Sequence, residues 1–372
     1  VGPASRCSRI LADYGATVVK VAPTPKKGAL QITPPFYAYS GNRGLKKVMI
    51  DLKAEDGKKA FLRLATSADV IIESFRPGVV ARLGIGYDDV RALNPGIVYC
   101  STSGYGQDGP YAKWAGHDIN YLALAGFLDC STPRGDGGPP IPGATVADSA
   151  GGGMQAAMAI LAALAGRAKN GEGAYLDVAA TDGVLSLMSL HIDQCLATGS
   201  KPGPGHDILT GRYACYDLYR ARDGKWLAVG AIEPQFYANL CKALDCEQWL
   251  KHQNDDAQQD AIRADFKAAF AKRDRDDWVE ALAPNDTCVA PVYSIEEVTR
   301  DPHFEARGLF VDAEHPEQGA FRQLGPVFAG SAKQAGAYQA IDASKTDTDE
   351  LLAEAGFGEA EIRSMRQAGA IA

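Results

Sequence analysis

The chain has 372 residues, too many for one ordinary hydrophobic core, so two domains are expected, or one large domain carrying an insertion. With 46% hydrophobic and 23% charged residues it has a globular composition, and its formal charge of −8 argues against a nucleic-acid binder and against a protein drawn to an anionic membrane surface. The cysteines at 7, 100, 130, 195, 215, 241, 246 and 288 include no C-x-x-C pair, which argues against a disulfide framework or zinc site and for reduced thiols in a cytoplasmic compartment.

Taken in chain order, helix and strand patterns alternate. Ser8 to Tyr14 reads as a helix and Ala16 to Val21 as a buried strand. Lys47 to Leu52, Val70 to Ser74 and Ile97 to Ser101 are further strands, separated by a helix over Glu55 to Thr66 and a two-piece helix over Val79 to Leu93. Short apolar strands spaced by helices predict a parallel sheet covered on both faces. The most apolar run, Ala150 to Ala165, is 16 residues long and falls short of a membrane span, so it reads as a buried helix. Lys201 to Gly205 is a Pro/Gly linker, and the strand patterns Ala214 to Arg220 and Trp226 to Ile232 flank Asp223-Gly224, a hairpin signal. Charged helices fill 234 to 283, and a helix pair, Thr348 to Ala355 and Glu359 to Gln367, closes the chain. The expected fold is α/β. A large domain over 1–200 and 320–372 carries a parallel Rossmann-like sheet, and a smaller α+β domain occupies 201–319.

Four stretches carry candidate chemistry. Gly104-Tyr105-Gly106-Gln-Asp-Gly109 matches G-x-G-x-x-G after a strand, but Pro110 and a polar loop follow where a dinucleotide site needs a helix start. Its glycines instead let backbone approach a ligand closely. Trp114-Ala-Gly-His117-Asp-Ile-Asn-Tyr121 places His117 at the start of an apolar helix, where it is either a core histidine or a proton carrier. Ala144-Thr-Val-Ala-Asp148-Ser-Ala-Gly-Gly-Gly153 places Asp148 at another helix entrance, where it reads as an N-cap, a reactive carboxylate or both. Glu233 ends a strand ahead of Pro234, a favoured first helical residue, and a carboxylate there suits the orientation of an imidazole.

WAGHDINYLALAG (114–126), ATVADSAGGG (144–153) and AVGAIEPQFY (228–237) resemble the α-methylacyl-CoA racemases of the family III CoA-transferase (CaiB/BaiF-like) superfamily. LADYGATVVKV, NRGLKKVMIDLK, ESFRPGVVARLGIG, STSGYGQDGP, NGEGAYLDVAATDG and NDTCVAPV resemble further blocks in family order, so the likeness covers nearly the whole chain. The resemblance implies an interlocked homodimer with an active site between subunits, and a first strand preceding Val1. It also separates two chemistries. The aspartate matching Asp148 is a nucleophile in the transferases and one of two bases in the racemases, and the histidine matching His117 marks the racemases.

The resemblance thus implies an enzyme that inverts 2-methylacyl-CoA thioesters through an enolate. His117 and Asp148 would exchange roles as acid and base, with Glu233 of a partner subunit holding the imidazole. No metal or separate cofactor is implied, because CoA is part of the substrate. Basic residues must hold its phosphates. Arg43, Lys46, Lys53, Arg76 and Arg82 fall where the family binds CoA, and Gly104, Tyr105 and Gly106 join that set. Ala22 to Lys27 departs from the family's acidic pattern and puts contacts from that corner in doubt. A CoA-transferase and a non-catalytic CoA-binding relative stand as alternatives.

Overall fold

The computed structural model describes residues 2–25, 38–340 and 345–372. The chain divides into two compact units, one of Val1–Ala125, Pro142–Leu187 and Pro302–Ala372, the other of Gly126–Ile141 and Met188–Asp301. These boundaries differ from the expected ones at 200 and 320. The helix Ser189–Thr198 and the Pro/Gly stretch after it belong to the second unit, and a hairpin beginning at Phe310 belongs to the first.

In the first unit β1 (Val19–Ala22) pairs in parallel with β2 (Lys46–Met49), and β3 (Val70–Glu73), β4 (Val98–Ser103) and β5 (Ala174–Ala179) form a separate parallel sheet with β4 central. Alternation along β4 explains how both of its faces are covered. Val98 and Cys100 point to one side, into a cluster with Cys7, Ile10 and Leu11 of the helix Pro3–Asp13 and Ala156, Ala157 and Ile160 of the helix Gln155–Asn170. Ile97 and Tyr99 point to the other side, where Ala65 and Val90 meet them. Burying such side chains contributes roughly 1.5–3 kcal/mol for each large one.

The expected buried strand at Ala16 to Val21 is corrected. The strand is Val19–Ala22, mostly exposed, because among the described residues only β2 pairs with it. β2 itself is well covered, with Val48 against Leu351, Leu352, Ile362 and Met365 of the C-terminal helix pair.

The second unit is built on an antiparallel sheet of β6 (Tyr216–Arg220), β7 (Trp226–Gly230) and β8 (Val289–Pro291). Gly224, at φ +81°, makes the β6–β7 turn that Asp223-Gly224 predicts. Tyr219, Leu227, Tyr237, Phe266, Phe270 and Trp278 form the core between this sheet and its helices. The chain then returns to the first unit through β9 (Phe310–His315), β10 (Gly319–Leu324) and β11 (Tyr338–Gln339).

The apolar run is also longer than its sequence pattern suggests. Ala147–Asn170 is one continuous 24-residue helical segment, long and apolar enough to cross a membrane by length and composition alone. It is not wholly buried either. Met154, Met158 (65% exposed) and Leu161 lie on its outward side.

Candidate active site

The site residues of the first unit gather at the carboxyl ends of β3, β4 and β5, where open parallel sheets receive ligands. Phe75 follows β3, with its N–H donating to the Glu73 carboxylate at 2.7 Å. Gly78 is left-handed at φ +79° and turns the chain into the helix Val79–Leu83, so that the Arg82 guanidinium folds back over it. After β4, the Gly106 N–H donates to Ser103 Oγ at 2.9 Å and the Gln107 N–H to Asp177 Oδ2 at 2.9 Å. No helix starts at Gly104–Gly109, as Pro110 leads one to expect. Thr181, at the start of the helix Ala180–Leu187, binds the Gly104 carbonyl through both its N–H (3.1 Å) and its hydroxyl (3.0 Å).

Gly104 is a glycine for a specific reason. A Cβ there would lie 2.2 Å from the Tyr121 ring, and one on Gly116 would lie 2.7 Å from Tyr105 Oη. Tyr105 and Tyr121 therefore pack edge to face, centroids 5.1 Å apart, while the Tyr121 hydroxyl donates to the Gly116 carbonyl at 2.6 Å. This packing fixes the backbone immediately before His117.

His117 is the extended residue that precedes the helix Asp118–Leu124, and its N–H donates to Asn120 Oδ1 at 3.0 Å. The imidazole is exposed, which rules out the core-histidine reading. Asp148 departs from the expected N-cap. The helix begins at Ala147, Val146 precedes it, and Asp148 is its second residue. A second helical residue has a backbone N–H with no partner inside the helix. Here that N–H donates to Asp118 Oδ1 at 2.8 Å, which ties the two helix entrances together.

The turn that carries Asp148 is π-helical over Ala147–Met154, a wide geometry that often marks functional positions. Its glycines admit neighbours from two sides. A Cβ on Gly151 would sit 2.6 Å from the Ala180 carbonyl oxygen, and one on Gly153 would sit 2.5 Å from Arg6 Cβ. An N-cap at Asp148 would have the glycines open the helix. They in fact let two helices close on the segment that holds Asp148.

Burial first, and then the charge of Asp118, push the Asp148 carboxyl above the ordinary carboxylate range, while Arg6 and His117 pull it back. Burial, Asp148, Tyr105 and Asp118 push the Tyr121 phenol up to about 12, so it stays a neutral donor. Burial likewise raises Glu73 and Asp177, which face one another across Ser101 in the sheet register. Neither carboxylate row nor Asp118 strap stands out in the sequence, because both depend on strand register and helix approach.

The basic candidates separate by burial. Arg43 is corrected: it is 2% exposed, bonded to Gln323 Oε1 at 3.1 Å and Asp13 Oδ1 at 3.3 Å, and stacked over Tyr338 at 4.6 Å. It ties the first helix to β10 and is not open to a phosphate. Lys46 is paired with Glu350 at 2.8 Å. Lys53, Arg76 and Arg82 are exposed, and among the described residues none of them is in an ion pair. Lys26 and Lys27 lie outside the described residues. In the second unit, Glu233 is exposed and immediately precedes the helix Pro234–Ala243, with Pro234 in its first position. Among the described residues no group of three or more His, Cys, Asp or Glu is placed to hold a metal.

A parallel sheet with an imidazole and a carboxyl on two tied helix entrances beyond the carboxyl ends of its strands is the arrangement of an α/β fold with a ligand site. The chain belongs to the CoA-transferase family III, whose family model matches residues 1–340. It is 34% identical to the human α-methylacyl-CoA racemase over 371 residues, covering 97% of this chain and 92% of that protein. It is also 32% identical to the succinate–glutarate CoA-transferase of Agrobacterium fabrum over 82% of this chain and 80% of that one. Among solved structures, a CaiB/BaiF family protein from Brucella suis superposes with a TM-score of 0.76 at 26% identity, over 95% of this chain and 96% of that one.

Proposed function

We propose that this enzyme is a racemase of 2-methylacyl-CoA thioesters. The observation that carries the reading is the pairing of an exposed imidazole at residue 117 with a half-buried carboxyl at residue 148, on two helix entrances tied by the Asp118 bond. The likeness to racemases over nearly the full chain supports it.

In one direction neutral His117 takes the α-proton, the electron pair moves into the thioester carbonyl to give an enolate, and protonated Asp148 delivers a proton to the opposite face. In the other direction Asp148 is the base and His117 the acid. An elevated carboxyl pKa serves this exchange, because it brings the aspartate closer to an imidazole and makes both protonation patterns accessible. The start of the π-helical turn favours the negative oxygen through its oriented N–H groups. CoA phosphates are taken by Arg82, Arg76 and Lys53, with Gly104, Tyr105 and Gly106 lining the thioester end. Glu233 is supplied by a second subunit, where it orients His117. The exposed apolar side chains of Met154, Met158 and Leu161 on one helix and of Leu185 and Leu187 on another support a homodimer, in which such surface is covered.

A second reading, CoA transfer through an Asp148 acyl anhydride, is favoured by the transferases among the relatives. Incubation of a single 2-methylacyl-CoA enantiomer in deuterated water separates the two. The racemase incorporates α-deuterium with inversion and needs no acceptor acid. A reaction that proceeds only with a second carboxylate, through a trappable Asp148 adduct, is transfer.

A further inference from the structure

Burial and the charge of Asp118 both raise the proton affinity of the Asp148 carboxyl, and a carboxyl that keeps its proton cannot act as a base. Something on the first unit opposes this. Arg6 lies on the helix Pro3–Asp13, which packs against the π-helical turn. Its stem rests on Gly153, and its Nη2 donates to Thr145 Oγ1 at 3.1 Å. Arg6 therefore touches the chain both before and after Asp148. Thr145 is itself steadied by Ser149, 3.4 Å between hydroxyl oxygens, and the guanidinium lies 5.5 Å from the Tyr39 ring centroid.

We propose that Arg6 is a positioning residue of the proton shuttle: its charge, anchored on Thr145 beside Asp148, opposes the effects of burial and Asp118 and keeps the carboxyl able to serve as a base. This rests on the two-base reading given above. Among the described residues the groups that face Asp148 are few. Asp118, His117 and Tyr121 come from the helix Asp118–Leu124 and its entrance, and Arg6 comes from the first helix. The third helix packed on the turn, Ala180–Leu187, carries Asp182, which is exposed, takes a bond from Thr181 and acts on Asp177. Among the described residues Arg6 is thus the permanent cation acting on the carboxyl, and glycine at 153 is what admits it.

The test is the pH profile of kcat/KM for racemisation in both directions, for the wild type, Arg6→Gln and Arg6→Lys. Glutamine keeps a donor for Thr145 without the charge, and lysine keeps the charge. In Arg6→Gln the acid limb moves up by roughly one pH unit, since an adjacent opposite charge shifts a carboxyl by at least that much. It moves equally in both directions, because the equilibrium constant ties the two kcat/KM values together. Arg6→Lys stays near the wild-type limb. Thr145→Val, which frees the charge from its anchor, moves the limb in the same sense by less. Coincident limbs in wild type and Arg6→Gln overturn the proposal, as does an equal shift in Arg6→Lys, which marks a purely structural role. A wild type that exchanges no α-proton at any pH refutes the two-base reading instead.

Discussion

The backbone N–H of Asp148 is bonded at 2.8 Å to the carboxylate of Asp118, the residue that follows His117. One side chain thereby sets the separation of the two proposed proton carriers and raises the proton affinity of one of them.

Asp118→Asn keeps an oxygen to accept that N–H and removes the charge. The Asp148 carboxyl then falls toward the ordinary range, and the acid limb of the racemisation profile moves down. Asp118→Ala leaves a partly buried donor without a partner, which costs about 1–3 kcal/mol. Rate and melting temperature both drop in the alanine variant, measured by racemisation assay and calorimetry. Equal behaviour of the two variants contradicts the strap.

The glycine contacts separate two kinds of glycine. A Cβ on Gly183 would meet the Gly151 carbonyl oxygen at 1.9 Å, and that neighbour is backbone with nowhere to move. Gly183→Ala forces the two helices apart, so thermal unfolding shifts down sharply and racemisation is lost. Gly109, at φ +83°, has open space around its missing side chain. Gly109→Ala costs only the left-handed conformation, about 1–2 kcal/mol.

Stability also carries the sign of the Asp148 shift. The folded carboxyl binds its proton more tightly than the unfolded one, so its contribution is complete below the ordinary carboxylate pKa and is lost as pH rises through the elevated value. Asp148→Asn removes that loss. Its melting temperature relative to wild type rises as pH goes from 4 to 8, read by thermal scans. A difference that shrinks over that range contradicts the assignment.

The two arginines predict opposite phenotypes. Arg82→Ala removes an exposed charge proposed to meet a phosphate, and the KM for acyl-CoA rises about tenfold or more with little change in melting temperature. Arg43→Met breaks a buried tie among Asp13, Gln323 and Tyr338, so it lowers the melting temperature while leaving KM in the protein that remains folded. Unfolding curves and steady-state assays on both variants check this.

Much of this was legible in the residues. The β4 segment alternates apolar side chains that bury on both faces, and Asp223-Gly224 names its own turn. His117 stands at a helix entrance in both readings. Other features are decided by distant partners. Arg43 and Arg82 look alike as sequence, and only Asp13 and Tyr338 closing over the first distinguish them. A glycine run is equally compatible with a loop, a helix start or a wide helical turn, and it takes Arg6 and Ala180 to show why 151 and 153 lack side chains. The β9–β10 hairpin escaped because its exposed strands mix polar and apolar residues without a strict period.

The most direct measurement follows the α-proton of each enantiomer separately in deuterated water, in His117→Gln and Asp148→Asn. Each variant keeps a base for one face only. Each should therefore exchange one enantiomer with solvent without inverting it, and the favoured enantiomer should be opposite in the two variants. Loss of exchange for both enantiomers in Asp148→Asn, with full activity retained in His117→Gln, would contradict a shuttle between the two residues.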